Sequence, residues 1–482
     1  MQSIPGEYLE IDRKKRVYLP FTGLSYRSPT ERVCDFSDVV LPFDEERARF
    51  EASRCIHCPD PAPCVMACPV HNDIPSAMWL IETGEFDEAL CLYLKTSSLP
   101  SVCGRVCPHE QLCQGSCVLS KDDAPVLTGA LEAFVADYGM CRWLSEGSQF
   151  TTAPKTGKRV AVVGGGPAGL SCAHVLALRG YSVTLFESMP FPGGLLMYGI
   201  PNFKLPRNVV HPQVRGLESL GIEFVVNTRI GKDKSVDALF EEGYEAVFLG
   251  VGTWVDAMME IPGEDLNGVY RGSEFLLLAN TDPEYLPASA DKNFTIGKRV
   301  VVVGGGDTAS DCLRTALRLN TEKVMCIYRR TENEMPGSKK DRELAREEGA
   351  DYQFLTQPIR FLSGDDGKLA GIECIQNRLG EPDEKGRRRP VPIEGSNFII
   401  EADMAVLAIG YWPDTLISKT TPGLDTKKWG EIIADPNTGA TSRPGVFAGG
   451  DAVTGPDLVV TAMAAGRRAA NAIDNYLRKK TN

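Results

Sequence analysis

Eight cysteines between Cys55 and Cys117 fall into two mirrored runs. The first reads Cys55-x2-Cys58-x5-Cys64-x3-Cys68-Pro69, and the second Cys103-x3-Cys107-Pro108-x5-Cys113-x3-Cys117. Thiolates this dense, with proline after the last of one run and the second of the other, point to iron–sulfur ligation. Spacing alone allows all eight as ligands, in two sets of four. Two structural zinc sites are the competing reading, because Cys-x2-Cys is also zinc spacing. The Cys-Pro pairs favour iron. Cys34, Cys91, Cys141, Cys172, Cys326 and Cys374 are expected to be buried packing residues. His71 follows Cys68-Pro69-Val70 and could ligate or donate a proton; a capping role is the stronger expectation.

Two further stretches could bind nucleotides. KRVAVVGGGPAGLSCAHVLALRGYSVTLFE reads as strand, glycine turn, helix and strand. Gly164 permits the tight turn, Gly166 lets a pyrophosphate approach the backbone, and Gly169 lets helix and strand pack closely. The anion would sit at the helix N-terminus, beside Pro167. Glu187 ends the second strand, placed to accept from a ribose 2′-OH. KRVVVVGGGDTASDCLRTALRLNTEKVMCIYRR repeats the unit with Gly304, Gly306, Asp307 and Thr308 in the turn. Its second strand ends in Arg329-Arg330 rather than an acid. An arginine pair can hold a 2′-phosphate that an acid would repel. The first unit therefore suits FAD or NAD, and the second NADP(H). Cys312 has no cysteine partner at Cys-x2-Cys spacing, so disulfide chemistry is not supported.

The elements that must position these groups can also be read. FDEERARFEASRC, beginning at Phe43, suits a short helix. Met78, Leu80 and Ile81, then Phe86, Leu90 and Leu94, recur at helical spacing, with Asn72 or Asp73 as a start and Gly84 as a break. LTGALEAFVADYGMCRW suits a further helix. The polar stretch from Ser145 to Lys158 reads as a linker. Residues 1 to about 50 read as a polar arm that could meet a partner. YEAVFLGVGT, with Gly252, and ADMAVLAIGYWPD look like the two crossings between an outer nucleotide fold and one inserted into it. GVFAGGDAV sets Gly450-Asp451 after a buried strand, where the acid could meet ribityl hydroxyls. A helix is expected from near Pro456. The stretch from Gly193 through Gly194, Leu195 and Tyr198 to Pro201, together with Ile230, is expected to line a flavin.

The 482 residues suit roughly three domains. The formal net charge of −12 argues against nucleic acid or an anionic membrane as partner. Neither a signal peptide nor an apolar membrane span is evident, so a reducing cytoplasm is expected.

The cysteine-rich N-terminus, GGGPAGL, GGLLMYGIP, GGGDTASDC, YRR, MPGS and GVFAGGD occur in that order. Together they resemble the small (β) subunit of NADPH-dependent glutamate synthase. Related proteins are the N-terminal half of dihydropyrimidine dehydrogenase and the large subunit of NADH-dependent ferredoxin:NADP oxidoreductase. The resemblance runs from about Arg54 to the end. It implies an α/β chain: a helical bis-[4Fe–4S] N-terminal domain, then two Rossmann-like domains of glutathione-reductase type, one inserted in the other. The expected limits are 1–150 for the iron–sulfur domain, 151–260 with 411–482 for FAD, and 261–410 for NAD(P)H. The resemblance also implies crosswise ligation. Cys55, Cys58, Cys64 and Cys117 would hold one cluster. Cys68, Cys107, Cys113 and Glu132 would hold the other, leaving Cys103 a bystander. One departure is the five residues between Cys58 and Cys64, where the family usually has four.

The implied activity is electron input. Hydride would pass from NADPH to FAD, and electrons would leave singly through the clusters. No module that completes a reaction is evident, so the electrons would go to a larger catalytic subunit in a hetero-oligomer. A ferredoxin or flavoprotein partner, including a bifurcating arrangement, is the second expectation. A non-catalytic assembly subunit is a third, disfavoured by the intact glycines, Glu187, Asp451 and arginine pair.

Overall fold

The computed structural model describes residues 11–146, 152–291, 293–382 and 386–480. The side chain of Cys141 and residues 147–151 of the expected linker lie outside them.

The N-terminal part is helical. Helix α1 (Glu45–Ser53) is capped by Asp44. Helix α2 (Ile74–Thr83) starts at Asp73, whose carboxylate accepts from Ser76 N–H, and stops at Gly84, where φ is 89°. Only a residue comfortable in the left-handed region ends a helix this way. Helix α3 (Phe86–Leu94) follows, then α4 (Pro100–Val106) and α5 (Thr128–Glu146). The spacing of Met78, Ile81, Phe86 and Leu90 expresses itself as buried faces, all four being shut off from solvent. Cys91 lies on the opposite face of α3 and is exposed. Cys34 is also exposed, its thiol donating to Thr30 O at 3.1 Å. The expectation that these two cysteines are buried is thereby corrected. Cys172, Cys326 and Cys374 are buried as expected.

Next comes a parallel five-stranded sheet. Its strands are β1 (Arg159–Val163), β2 (Ser182–Phe186), β3 (Glu223–Val225), β4 (Ala246–Leu249) and a late strand, Val446–Ala448. The order places that late strand beside β4, so the chain returns to this sheet near its end. Between them, β5 (Val255–Asp256) leads out, and β6 (Val269–Arg271), β7 (Arg299–Gly304), β8 (Lys323–Tyr328), β9 (Asp351–Phe354) and Met404–Ala408 build a second parallel sheet. An antiparallel sheet hangs from it, with β10 (Thr356–Ser363), β11 (Leu369–Pro382), β12 (Arg388–Pro392) and β13 (Phe398–Glu401). Strand β14 (Met404–Ala408) runs into β15 (Tyr411–Trp412), which pairs antiparallel with β5. The two crossings thus lie side by side. The late strand Val446–Ala448 is β16.

Helix α6 (Pro167–Leu178) follows β1, and α7 (Asp307–Leu317) follows β7. The last helix, α8 (Val459–Lys479), packs on α6 so tightly that a Cβ on Gly466 would stand 2.0 Å from Ala168 O. One core runs through both the helical part and the first sheet. Leu99, Val102 and Cys103 share it with Val160, Leu196 and Met463. The helical part is therefore docked on the sheet by continuous apolar packing.

The N-terminal arm, expected to face a partner, is stitched into the chain itself. Arg16 makes two 2.8 Å bonds to Glu82. Val39 N–H donates to Phe203 O at 3.2 Å. Arg32, 1% exposed, reaches Glu347 at 2.6 Å.

Candidate functional site

The cysteines divide between two cavities in the helical part. One, of about 420 Å³ with its mouth included, is lined by Cys55, Cys58, Cys64 and Cys117, with Ile74, Met78 and Val126 among its apolar walls. The other, of about 390 Å³, is lined by Cys68, Cys103, Cys107, Cys113 and Glu132. The two share Ile74 and Thr128 as a wall. Each set draws on both runs: α2 and α3 lie between the runs in the chain, and α2 and α5 supply Ile74 and Thr128 to the shared wall.

Burial pushes the thiols up: Cys55 and Cys113 to about 12, Cys68 to about 11. Desolvation also lifts the Glu132 carboxyl, to about 8, against a weak opposing bond from Asn72 Nδ2 at 3.5 Å. Negative charge is costly in both cavities unless a cationic group compensates it. Among the described residues, no three His, Cys, Asp or Glu groups converge where one metal ion would sit. Thiols spread around a cavity wall suit a multi-atom cluster better than a lone zinc ion, whose Zn–S bonds are about 2.3 Å. The residues therefore fit iron–sulfur clusters.

Cys103 is not set apart from the others. It is 2% exposed, lines the Glu132 cavity, and its hydrogen bond raises the Cys107 thiol, with burial second. His71, by contrast, is exposed, lines neither cavity, and bonds Val65 O at 3.2 Å.

The glycine turns are built for close approach. Gly164 has φ 98°, and a Cβ there would meet Gly250 O at 2.4 Å. A Cβ on Gly169 would stand 1.9 Å from Gly164 O, so only glycine lets α6 lie against the turn. Gly166 and Gly306 differ from these: a Cβ on either meets no protein atom within 4 Å. Each opens the N-terminus of its helix to an outside group, as a dinucleotide pyrophosphate requires. Gly304 has φ 151°, and its Cβ would meet Ala408 O at 2.2 Å.

Each turn also carries a second loop strapped across it. Gly193 N–H donates to Gly165 O at 2.8 Å, and Gly337 N–H to Gly305 O at 3.1 Å. A Cβ on Gly194 would stand 2.9 Å from Gly166 Cα, and one on Gly337 2.8 Å from Gly306 C. The loop of Met335 to Ser338 was visible as a sequence motif but carried no role. Here it caps the second turn, with Ser338 N–H donating to Asp307 Oδ1 at 2.7 Å.

Glu187 ends β2 and takes N–H bonds from Gly165 at 2.7 Å and Met189 at 2.8 Å. Burial raises its pKa, and these donors oppose the rise. Asp451 follows Gly450 at φ 70° and opens a one-turn helix. Burial, then the charge of Asp457, lifts its carboxyl to about 7. Leu195 begins the short helix Leu195–Tyr198, and the Tyr198 hydroxyl is spent on Phe191 N–H at 3.0 Å. Ile230 sits in the core cluster that holds Val163 and Phe186. Gly252 adopts φ 68° beside Trp254, and Pro167 is the first residue of α6. Thr308 is held by Tyr411 Oη at 3.1 Å. Arg329 and Arg330 follow β8; Arg330 Nε donates to Arg388 O of β12 at 2.8 Å, and Arg329 O accepts from Asn377 Nδ2 at 3.0 Å.

Two family profiles match the chain: "Dihydropyrimidine dehydrogenase domain II, 4Fe-4S cluster" over residues 32–142, and "Pyridine nucleotide-disulphide oxidoreductase" over 158–466. The Escherichia coli glutamate synthase [NADPH] small chain is 42% identical over 454 residues, covering 92% of this chain and 95% of that one. The chain belongs to the glutamate synthase small-chain family. A second relative, the putative oxidoreductase AegA of Escherichia coli, is 44% identical over 458 residues, covering 93% of this chain and 69% of that one. Mycobacterium tuberculosis FprA in complex with NADPH is 22% identical with a TM-score of 0.56, covering 68% of this chain and 86% of that one. At that identity the likeness shows the fold alone.

Membership makes the chain a pyridine-nucleotide oxidoreductase with a 4Fe-4S domain ahead of its nucleotide folds. No helix among the described residues is long and apolar enough to cross a membrane. Sequence reasoning missed three polar groups on the wall of the Glu132 cavity, Asn72, Tyr93 and His109. No local pattern marks them.

Proposed function

We propose that this chain is the electron-input subunit of a glutamate-synthase-like enzyme. When bound, FAD takes hydride from NADPH, and [4Fe–4S] clusters accept electrons one at a time. The chain's own part is to bind and orient. Gly164, Gly166 and Gly169 receive the FAD pyrophosphate, Glu187 its ribose, and Gly450-Asp451 its ribityl side. Gly304, Gly306 and Thr308 receive NADPH, and Arg329 with Arg330 its 2′-phosphate. Hydride transfer asks for this alignment more than for an acid or base.

The reading rests most on the division of the cysteines. Cys55, Cys58, Cys64 and Cys117 line one cavity, and Cys68, Cys103, Cys107 and Cys113 line another with Glu132. We assign these as the two ligand sets, with Cys103 a bystander. The raised Glu132 carboxyl, buried beside one weak partner, supports its role as the eighth ligand. Val460 of α8 lines the Glu132 cavity, and no residue beyond Thr128 lines the other. The Glu132 cavity is therefore the one nearer the nucleotide folds, which orders the exit path.

The proposed division is 1–150 for the clusters, 151–260 with 411–482 for FAD, and 261–410 for NADPH. Relatives named as chains of larger enzymes support a partner subunit here. We place the protein in the cytoplasm, where thiols stay reduced; none of the described cysteines is in a disulfide.

Iron analysis and co-purification test the proposal. About eight irons per chain are expected. Cys107→Ser should remove about half of them and Cys103→Ser none. Equal loss from both would overturn the ligand assignment. A large partner with glutaminase activity supports the glutamate-synthase reading. A small ferredoxin or flavoprotein instead would replace it with the alternative electron exit.

A further inference from the structure

The two cysteine cavities differ in polarity. The wall of the Cys55 cavity is thiol and aliphatic apart from Ser116 and Thr128. The Glu132 cavity also presents Tyr93, Asn72 and His109. Tyr93 is 2% exposed, and its Oη is out of solvent contact with no hydrogen-bond partner. Buried hydroxyls are nearly always satisfied, so the orphan hydroxyl of a residue that lines this cavity calls for an acceptor there. After burial, the strongest influence on this hydroxyl is the Glu132 charge, ahead of Cys113, Cys68 and Cys64. Glu132 has lone pairs to spare. Its one partner, Asn72 Nδ2, stands 3.5 Å away, and Asn72 Oδ1 is itself fixed by Thr96 Oγ1 at 2.6 Å.

We propose that Tyr93 is a positioning residue whose hydroxyl donates to the Glu132 carboxylate, and that this bond sets the potential of the group held in that cavity. This rests on the reading that the cavity holds a [4Fe–4S] cluster with Glu132 among its ligands. A carboxylate ligand gives more negative charge to its cluster than the charge-sharing hydrogen bond leaves it. Withdrawing that charge makes reduction easier, since hydrogen bonds to ligands tune cluster potentials. No counterpart of Tyr93 lines the Cys55 cavity, so the bond also makes the two clusters unequal, the one nearer the nucleotide folds being raised.

Tyr93→Phe removes the hydroxyl and keeps the ring. In an EPR-monitored redox titration of the holoprotein, the Glu132 cluster of this variant should be about tenfold harder to reduce, a fall of about 59 mV for one electron. The other cluster should titrate as before. The pair Glu132→Cys and Tyr93→Phe with Glu132→Cys completes the test. Without the carboxylate, removing the hydroxyl should change nothing. An unchanged potential in Tyr93→Phe at full iron content overturns the proposal. So does an undiminished shift in the Glu132→Cys background, or loss of the cluster from Tyr93→Phe, which would make the hydroxyl structural. Wild-type protein with about four irons per chain would instead overturn the two-cluster reading beneath it.

Discussion

Arg32 Nε stands 3.5 Å from Glu348 Oε1, with 1% and 0% of the two side chains exposed. The pair joins the N-terminal arm to the inserted nucleotide fold. Glu348 also receives Arg314 at 2.8 Å and Arg318 at 2.8 Å. The ring of Phe203, from the outer fold, lies under both guanidiniums, at 4.8 and 3.9 Å. Beside it Lys204 bridges Asp311 at 2.8 Å and Asp341 at 3.0 Å. Three parts of the chain meet in this buried ionic knot.

Removing the shared carboxylate takes a partner from all three arginines and strands Arg318, while Arg32 keeps Glu347 and Arg314 keeps Asp341. Glu348→Ala should cost about 3–5 kcal/mol in urea unfolding, the usual penalty for orphaning a buried charge. Burial works against the Glu348 charge, but the bonds from Arg314 and Arg318 outweigh it and hold the carboxyl below its ordinary value. A depressed acid stabilises above its unfolded pKa, and that contribution is lost as pH falls through the folded one. The wild type should therefore lose more stability than Glu348→Ala between pH 5 and 3, about the range of a carboxyl group. Equal acid slopes would show that the carboxylate contributes nothing.

The two glycines of the first turn should fail differently. Gly166→Ala meets no protein atom and should leave the melting temperature nearly unchanged while lowering flavin content. Gly169→Ala meets Gly164 O at 1.9 Å and should lower the melting temperature outright. A flavin-to-protein ratio beside a melting curve separates them. If Gly166→Ala retains full flavin, the pyrophosphate does not lie against it.

Arg329→Ala with Arg330→Ala should lower kcat/KM for NADPH by roughly 10- to 100-fold, from the loss of charge-assisted bonds of about 1.5–3 kcal/mol. NADH, which lacks the 2′-phosphate, should change little. Equal loss for both nucleotides would remove the phosphate role.

Asp451 gives a pH signature. Burial and then Asp457 hold its carboxyl up at about 7. A raised acid binds its proton more tightly folded than unfolded. The flavin-free chain should therefore lose stability as pH rises from about 4 toward 7. Asp451→Asn removes that slope. Melting temperatures at pH 5 and 8 should differ less in the variant; an unchanged difference would assign the slope to another group.

The fold was legible because its signals are local. Glycine turns, strand ends and helix caps such as Asp73 and Gly84 each occupy a few consecutive residues. The cysteine runs were legible for the same reason, and the cavities then group them crosswise. What escaped is tertiary. Cys91 sits in an apolar helix, and only the packing of Leu90 and Tyr93 decides that its own face is outward. Tyr93 and Glu132 line one cavity from two different helices, α3 and α5. Arg32 meets Glu348 across most of the chain, in an arm whose composition reads as solvent-facing. Arg330 finds Arg388 O in a hairpin with no motif of its own. Cys103 shows the limit of spacing: its place in the run matches its neighbours, and a buried thiol bonded to Cys107 looks the same whether or not it binds iron.

The pairing of Tyr411 with Asp256 and of Trp412 with Val255 sets the entrance and exit of the inserted fold on adjacent strands. To the outer fold, the whole insert is thus equivalent to a single hairpin loop. A short turn from β5 to β15 could close the outer fold without it, leaving the strands of the first sheet in register. The ends of the insert already meet, so two copies of one nucleotide-binding plan are nested in a single chain without either sheet being broken open.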